Sequence, residues 1–151
     1  MYKNLSYVKT LFIPIALTLV IAGIFSVAIA VALLWIFGAD LPTILSMTTK
    51  SITAPIAIIT SQQIGGIPSL AVGFVLITGI IGALFGTIVF KLARVKYETS
   101  KGFALGLVSH GIGTARAIEI SEKAAAFGAL AMGLSGIFTA IFLPMIITFF
   151  K

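Results

Sequence analysis

The 151-residue chain is 60% hydrophobic and only 9% charged, and its formal net charge is +6 at pH 7. Soluble domains carry about 25% charged residues, so water is excluded as the solvent for most of this surface. The basic residues form short clusters at the ends of apolar stretches rather than a continuous face, which argues against nucleic acid as a partner. The absence of cysteine excludes disulfides, thiolate nucleophiles and Cys-ligated metals.

Three stretches, residues 11–37, 66–90 and 124–150, contain no charged side chain. Each is longer than the ~20 residues that an α-helix needs to cross a bilayer. We therefore predict an all-α, polytopic integral membrane protein with three long transmembrane helices. Ser6 or Thr10 is a candidate N-cap for the first of these helices.

A fourth apolar stretch, residues 41–63, carries Lys50 near its middle and Pro55 soon after. Proline removes a backbone donor and disfavours helix at the residue before it, so a broken segment is expected here. Its free backbone N–H groups, the hydroxyls of Ser51 and Thr53 and the charge of Lys50 would suit an anion. In the alternative, this is a proline-kinked helix whose lysine snorkels to the membrane surface.

The second predicted broken segment, residues 102–120, follows a hydrophilic loop predicted at 91–101. It holds the main candidate site, which consists of Ser109, His110, Gly111, Gly113, Thr114, Arg116 and Glu119. The glycines would permit a sharp bend, with positive φ, or close approach to a ligand. Thr114 is predicted to begin a short helix whose positive end faces a carboxylate.

In this segment Arg116 would hold the carboxylate through two hydrogen bonds, and His110 would couple its binding to a proton. In the alternative, Arg116 pairs with Glu119 for structural reasons only. A single histidine does not predict a metal site. The absence of an acidic dyad, a nucleophile elbow and a phosphate loop predicts that the protein is not an enzyme.

Two topologies fit the charges. If Lys3, Lys9 and the 91–101 loop are all cytoplasmic, an even number of crossings separates them, and both broken segments are re-entrant. If both broken segments cross fully, the chain has five spans and an external amino terminus. Similar short strings at 53–58 and 114–118 suggest an inverted-repeat, transporter-like core, in which broken segments recur at corresponding positions.

The strings at residues 50–58 and 64–67, and above all SHGIGTAR at 109–116, closely resemble the LrgB family, and the similarity extends over essentially the whole chain. The resemblance implies one LrgB-like domain over residues 1–151, in the bacterial inner membrane and without a cofactor. Family members carry further transmembrane helices before the point where this chain begins. The chain is therefore expected to match the C-terminal two-thirds of a member, as a truncated product, a later start or a fragment would.

The resemblance implies two functions, which are control of murein hydrolase activity and autolysis, and transport of small carboxylates such as pyruvate or glycolate. It also implies the lipid bilayer, an LrgA/CidA-type small membrane protein and further copies of the chain as partners. The residues favour carboxylate transport, because broken segments that carry arginine and histidine suit an anion carrier. The alternatives are a non-transporting antiholin-like regulator of lysis and an inactive truncated family member.

Overall fold

The computed structural model describes residues 10–149, so Lys3, Ser6, Lys9 and Lys151 lie outside the described residues. All regular structure in the described range is helical. Six helices follow one another there: α1 (Phe12–Ile36), α2 (Leu41–Met47), α3 (Ala54–Ile64), α4 (Pro68–Leu92), α5 (Glu98–Ile118) and α6 (Glu122–Phe149).

Helices α1, α4 and α6 have 25, 25 and 28 residues and are apolar enough to cross a membrane. Most of their large apolar side chains are exposed, as expected of a surface that contacts lipid. Trp35 and Phe37 at the end of α1 and Tyr97 after α4 are also exposed, where aromatic side chains of membrane proteins reach the bilayer interface. The prediction of an all-α membrane protein with three long apolar helices is confirmed.

The first broken segment folds back on itself, and we call residues 41–64 hairpin 1. Its arms are α2 and α3, and residues 48–53 form the irregular tip between them. The return is fastened at Ser46, whose Oγ accepts a hydrogen bond from the Ile67 N–H at 2.7 Å. Gly66 lies so close that a Cβ there would be 3.0 Å from the Ser46 nitrogen. The segment therefore leaves on the side where it enters.

Contrary to the prediction, Pro55 does not break the helix at the residue before it. Ala54, expected to be non-helical, is the first residue of α3, and Pro55 lies in the first turn. A proline at the start of a helix removes an N–H that has no helical partner there, so it costs little. The break lies earlier, at residues 48–53, and the helix restarts at the proline.

The second broken segment is also a hairpin, and we call residues 98–118 hairpin 2. The backbone turns at Ser109 (φ −115°, ψ 15°) and His110 (φ 41°, ψ −127°), which divide α5 into two arms. The two ends meet where the Ser121 Oγ donates a hydrogen bond to the Glu98 carboxylate at 2.9 Å. An unbroken helix would separate those ends by more than 30 Å, so the segment enters and leaves on one side.

The two hairpins approach the middle of α4 from its opposite ends. In hairpin 1, Ile52 packs in one apolar cluster with Val75 of α4. The tip of hairpin 2 reaches the same place, because His110 Nε2 lies 2.9 Å from the Val75 carbonyl oxygen. The 11-residue arm α3 is about 16 Å long, about half of the ~30 Å hydrocarbon core. Two half-length hairpins of opposite direction are the arrangement that an inverted repeat requires.

Helix α6 passes the hairpins in the opposite order to α4, with hairpin 2 before hairpin 1. Gly128 packs against Gly102 and Ala117 of hairpin 2, and Met132 lies next to Thr114. Gly136, two turns beyond Gly128, lies next to Ile56 of hairpin 1. Both hairpins therefore contact the middle of α6, as well as neighbouring turns of α4.

Two smaller predictions are corrected. The hydrophilic loop predicted at 91–101 is shorter, because α4 continues to Leu92 and α5 begins at Glu98. Helix α1 begins after Leu11 rather than after a capping hydroxyl, so Thr10 is not its N-cap residue. Lysine and glutamate side chains extend into water from the ends of helices, so charge alone does not mark where a helix stops.

The re-entrant topology can be tested by cysteine labelling, because the native chain has none. We expect Asp40→Cys and Ser69→Cys, at the two ends of hairpin 1, to react with an impermeant maleimide from the same side. Tyr97→Cys and Glu122→Cys, at the two ends of hairpin 2, should react only from the opposite side. Labelling of Asp40→Cys and Ser69→Cys from different sides would mean that residues 41–64 cross the membrane.

Candidate functional site

At the tip of hairpin 1, threonine hydroxyls occupy two backbone acceptors of α2, and the start of α3 has no side-chain cap. The hydroxyls of Thr48 and Thr49 donate to the carbonyls of Leu45 and Ser46, at 2.5 and 2.8 Å. At the start of α3, by contrast, Thr53 makes no side-chain capping bond. The first N–H groups of a helix have no partner within it and carry partial positive charge. The tip is therefore better suited to an anion than to a cation.

Lys50 lies on the other face of this tip and contacts α1. Its Nζ donates to the Ser26 Oγ at 2.8 Å and to the Ser51 Oγ at 3.1 Å, and the residue is 8% exposed. It does not snorkel to the surface, so that alternative is wrong. The structure brings Lys50 together with Ser51, as predicted, and the lysine contacts α1.

At the tip of hairpin 2 two polar residues are buried, Ser109 at 1% and His110 at 5% exposed. The Ser109 Oγ has no hydrogen-bond partner. His110 adopts a positive φ, which a non-glycine residue holds only at a cost of roughly 1–3 kcal/mol when its surroundings impose it. Buried unpaired polar atoms and strained backbone both concentrate at functional sites.

The predicted bend is present, but its positive φ is not at a glycine. Only His110 in this hairpin has one, and Gly111 and Gly113 do not. Gly113 is needed for close approach instead, since a Cβ there would collide with the Leu105 carbonyl of the opposite arm. Gly111 faces open space, with only the Met132 sulfur at 4.0 Å from such a Cβ.

Glycines of α4 explain why the tip can lie so close to that helix. A Cβ at Gly79 would lie 2.9 Å from the His110 ring, and one at Gly82 would collide with the Ser109 hydroxyl. Gly86 similarly leaves room for Leu105. These glycines therefore form the surface on which hairpin 2 packs.

Thr114 and Arg116 lie in the returning arm, away from the tip. Thr114 does not begin the half-helix as predicted, because its hydroxyl donates to the His110 carbonyl at 2.8 Å from within the first turn. Arg116 forms an ion pair with Glu119, and their side chains are 38% and 62% exposed. The Arg116 Nε is buried without a partner. The arginine thus stands about 9 Å along the arm from His110, towards the base of the hairpin.

Three polar contributors were not predicted, namely Ser26, Ser46 and the Val75 carbonyl. Ser26 is a hydroxyl in an apolar helix, and Ser46 and the Val75 carbonyl become significant only once the hairpins fold back. Ser61 has a buried, unpartnered Oγ next to Gly66. Such single hydroxyls are weak sequence signals, because in membrane helices they commonly bond their own backbone. Within residues 10–149 no three His, Asp or Glu side chains group together to hold a metal ion.

Comparison with known proteins gives consistent matches. The model of the LrgB-like family matches residues 1–149. The holin-like protein CidB of Staphylococcus epidermidis is 30% identical over 99% of this chain, and the antiholin-like protein LrgB of Bacillus mycoides is 32% identical over 99%. YxaC of Bacillus subtilis is 37% identical over 76%.

The chain spans only part of these relatives, namely 66% of that CidB, 65% of that LrgB and 50% of YxaC. No solved structure matches it significantly. The family match nevertheless covers nearly every residue, including both hairpins. The chain belongs to the LrgB-like family.

Proposed function

We propose that this protein carries small carboxylates across the bacterial inner membrane, through a site at the tips of the two hairpins. The observation that carries the proposal is that both tips reach the same part of α4, at Val75, and neighbouring turns of α6, inside two long apolar helices. Irregular backbone at that depth persists only when protein or a water-filled cavity covers it. Opposed broken segments are how secondary transporters build substrate sites.

The polar groups at the tips support an anion as the substrate. Hairpin 1 offers the uncapped start of α3, with Thr53 beside it, and hairpin 2 offers Ser109, His110 and the backbone that follows at Gly111 and Gly113. We assign these groups to the bound carboxylate, with Thr114 fixing the turn through the His110 carbonyl. The four acidic residues of the chain (Asp40, Glu98, Glu119 and Glu122) are all exposed, so none neutralises the tips from within.

Arg116 is assigned to the capture of the anion before it reaches the tip. An exposed ion pair contributes only about 0–1 kcal/mol, so a substrate carboxylate can replace Glu119 at little cost. The planar guanidinium would then hold the substrate through two hydrogen bonds, and its buried Nε would gain a partner. In this proposal, Arg116 is paired with Glu119 when no substrate is bound.

A role in murein hydrolase control is proposed as a consequence of transport. The relatives are named holin-like and antiholin-like, which favours a link to cell lysis. We propose that residues 1–151 act as one membrane domain beside an LrgA/CidA-type small partner and further copies of this chain, and that altered carboxylate traffic changes autolysis. The second candidate function is a regulator of lysis that assembles in the membrane without transporting anything.

Uptake of radiolabelled pyruvate or glycolate by liposomes that contain the full chain tests the proposal. We expect Arg116→Gln to reduce uptake at least tenfold, and Arg116→Lys to retain part of it, because lysine keeps the charge but not the planar fork. Glu119→Gln is the matched control, since it breaks the same ion pair but frees the arginine, so uptake should be unchanged or higher.

Equal losses of uptake in Arg116→Gln and Glu119→Gln would show that the ion pair has only a structural role. Wild-type chain that inserts and folds but transports neither carboxylate would favour the non-transporting regulator.

A further inference from the structure

Lys50 is a buried cation whose charge is not balanced by a carboxylate among residues 10–149. Its two hydrogen-bond partners are the neutral hydroxyls of Ser26 and Ser51. The Arg116–Glu119 ion pair lies at the other hairpin. Charged groups buried at membrane depth are retained where they are paired or bind a ligand. Within the described residues, the ammonium therefore lacks an anion.

A cavity of about 330 Å³ opens directly beside this ammonium, between α1 and hairpin 1. Its volume is at the lower end of the 300–1,000 Å³ typical of small-molecule sites. The polar lining consists of Lys50 and Ser26, and the remaining walls are apolar: Ile29, Ala30, Leu33, Leu34, Phe37 and Met47. The lining follows α1 from Ser26 to Phe37, a length of about 16 Å. The cavity is thus an apolar groove with one positive charge at its inner end.

The shape and charge of the groove specify its occupant. A hydrophilic anion would leave the apolar walls in contact with polar groups, and a neutral hydrocarbon would leave the ammonium unbalanced. A molecule with one carboxylate and an apolar chain satisfies both ends. We propose that this groove binds a monocarboxylate with an aliphatic chain, its carboxylate on Lys50 and its chain along α1.

This site is separate from the proposed transport site. Lys50 faces α1, whereas Ile52, two residues on, faces α4 and the place where hairpin 2 ends. An incoming carboxylate would take the hydrogen bond that Ser26 now accepts, and that bond is a polar link between α1 and hairpin 1. The ligand would therefore replace the direct hydrogen bond between α1 and hairpin 1 with a contact in which the ligand lies between them.

Binding of radiolabelled octanoate to the purified full chain in detergent tests the site without relying on transport. We expect saturable binding that weakens at least tenfold in Lys50→Gln and persists in Lys50→Arg, which keeps the charge. Leu33→Trp, which fills the groove at a half-exposed position and leaves the lysine intact, should also abolish binding. Ser26→Ala should bind at least as tightly as wild type, because a competitor for the ammonium is removed.

Competing ligands identify the chemistry that is recognised. Octan-1-ol has the chain without the charge and acetate has the charge without the chain, so both should compete at least tenfold less well than octanoate. Displacement by oleate would assign the ligand to membrane fatty acids, and failure of oleate to compete would assign it to shorter, water-soluble carboxylates. Wild-type binding by Lys50→Gln, or acetate competing as well as octanoate, would overturn the proposal. Neither result bears on pyruvate or glycolate uptake, which tests the hairpin-tip site alone.

Discussion

Replacing Gly113 with alanine is expected to destabilise the protein by about 2–3 kcal/mol, a typical cost of forcing an extra methyl into a packed contact. The new Cβ would collide with the Leu105 carbonyl, which is backbone and cannot turn aside. In a chain of this size that loss lowers the melting temperature by roughly 5–10 °C. Thermal unfolding of the purified protein, followed by circular dichroism in detergent, measures the shift.

Gly111→Ala is the matched control, because it lies in the same arm and meets only open space. It should be neutral or slightly stabilising, since alanine is the better helix former by up to about 1 kcal/mol. Comparison of the two variants tests whether residues 98–118 form a hairpin or a straight helix. In a straight helix, residues 105 and 113 would lie about 12 Å apart, and both substitutions would be harmless. Equal melting temperatures for the two variants would therefore contradict the fold of hairpin 2.

Removal of the His110 side chain is expected to produce the largest loss of transport. Hydrogen bonds to charged groups contribute about 1.5–3 kcal/mol, so losing one to the substrate should reduce carboxylate uptake by 10-fold or more. His110→Gly is the informative variant, because glycine adopts the observed φ of 41° without strain. We expect it to fold at least as stably as His110→Ala, which keeps the strain, and yet to transport as poorly.

Two measurements distinguish the roles of the imidazole and of the turn. Melting temperature reports the backbone strain, and uptake into liposomes, normalised to the amount of inserted protein, reports the imidazole. Wild-type uptake by His110→Gly would show that the turn matters and that the imidazole does not touch the substrate. Poor uptake with unchanged melting temperature would place His110 at the transport site.

The sequence predicted both broken segments because residues near each break interrupt its apolar pattern. Lys50 and Pro55 interrupt one apolar stretch, and the glycines after His110 interrupt the other. Only the positions of the basic residues predicted that these two segments fold back. The contacts that establish the fold-back join residues far apart in the chain, such as Ser46 with Ile67 and Glu98 with Ser121. Local patterns do not contain that information.

The position of the turn in hairpin 2 could not be read from local propensity. Glycine is the residue that normally takes positive φ, so Gly111 and Gly113 were the natural choices. The strained residue is His110 because its ring packs over Gly79 while its Nε2 meets the Val75 carbonyl. Tertiary packing imposes the turn one residue earlier than propensity would place it. Similarly, no pattern reveals that Ser26 faces Lys50 across two helices.

The meeting of the two tips halfway along α4 has an electrical consequence. A charge that moves from either face of the bilayer to this level crosses about half of the membrane voltage. Since a full crossing is worth ~2.3 kcal/mol per elementary charge at 100 mV, half of it is about 1.2 kcal/mol, or about sevenfold in affinity. An energised membrane would thus make a monovalent anion bind more tightly from its negative side and more weakly from its positive side.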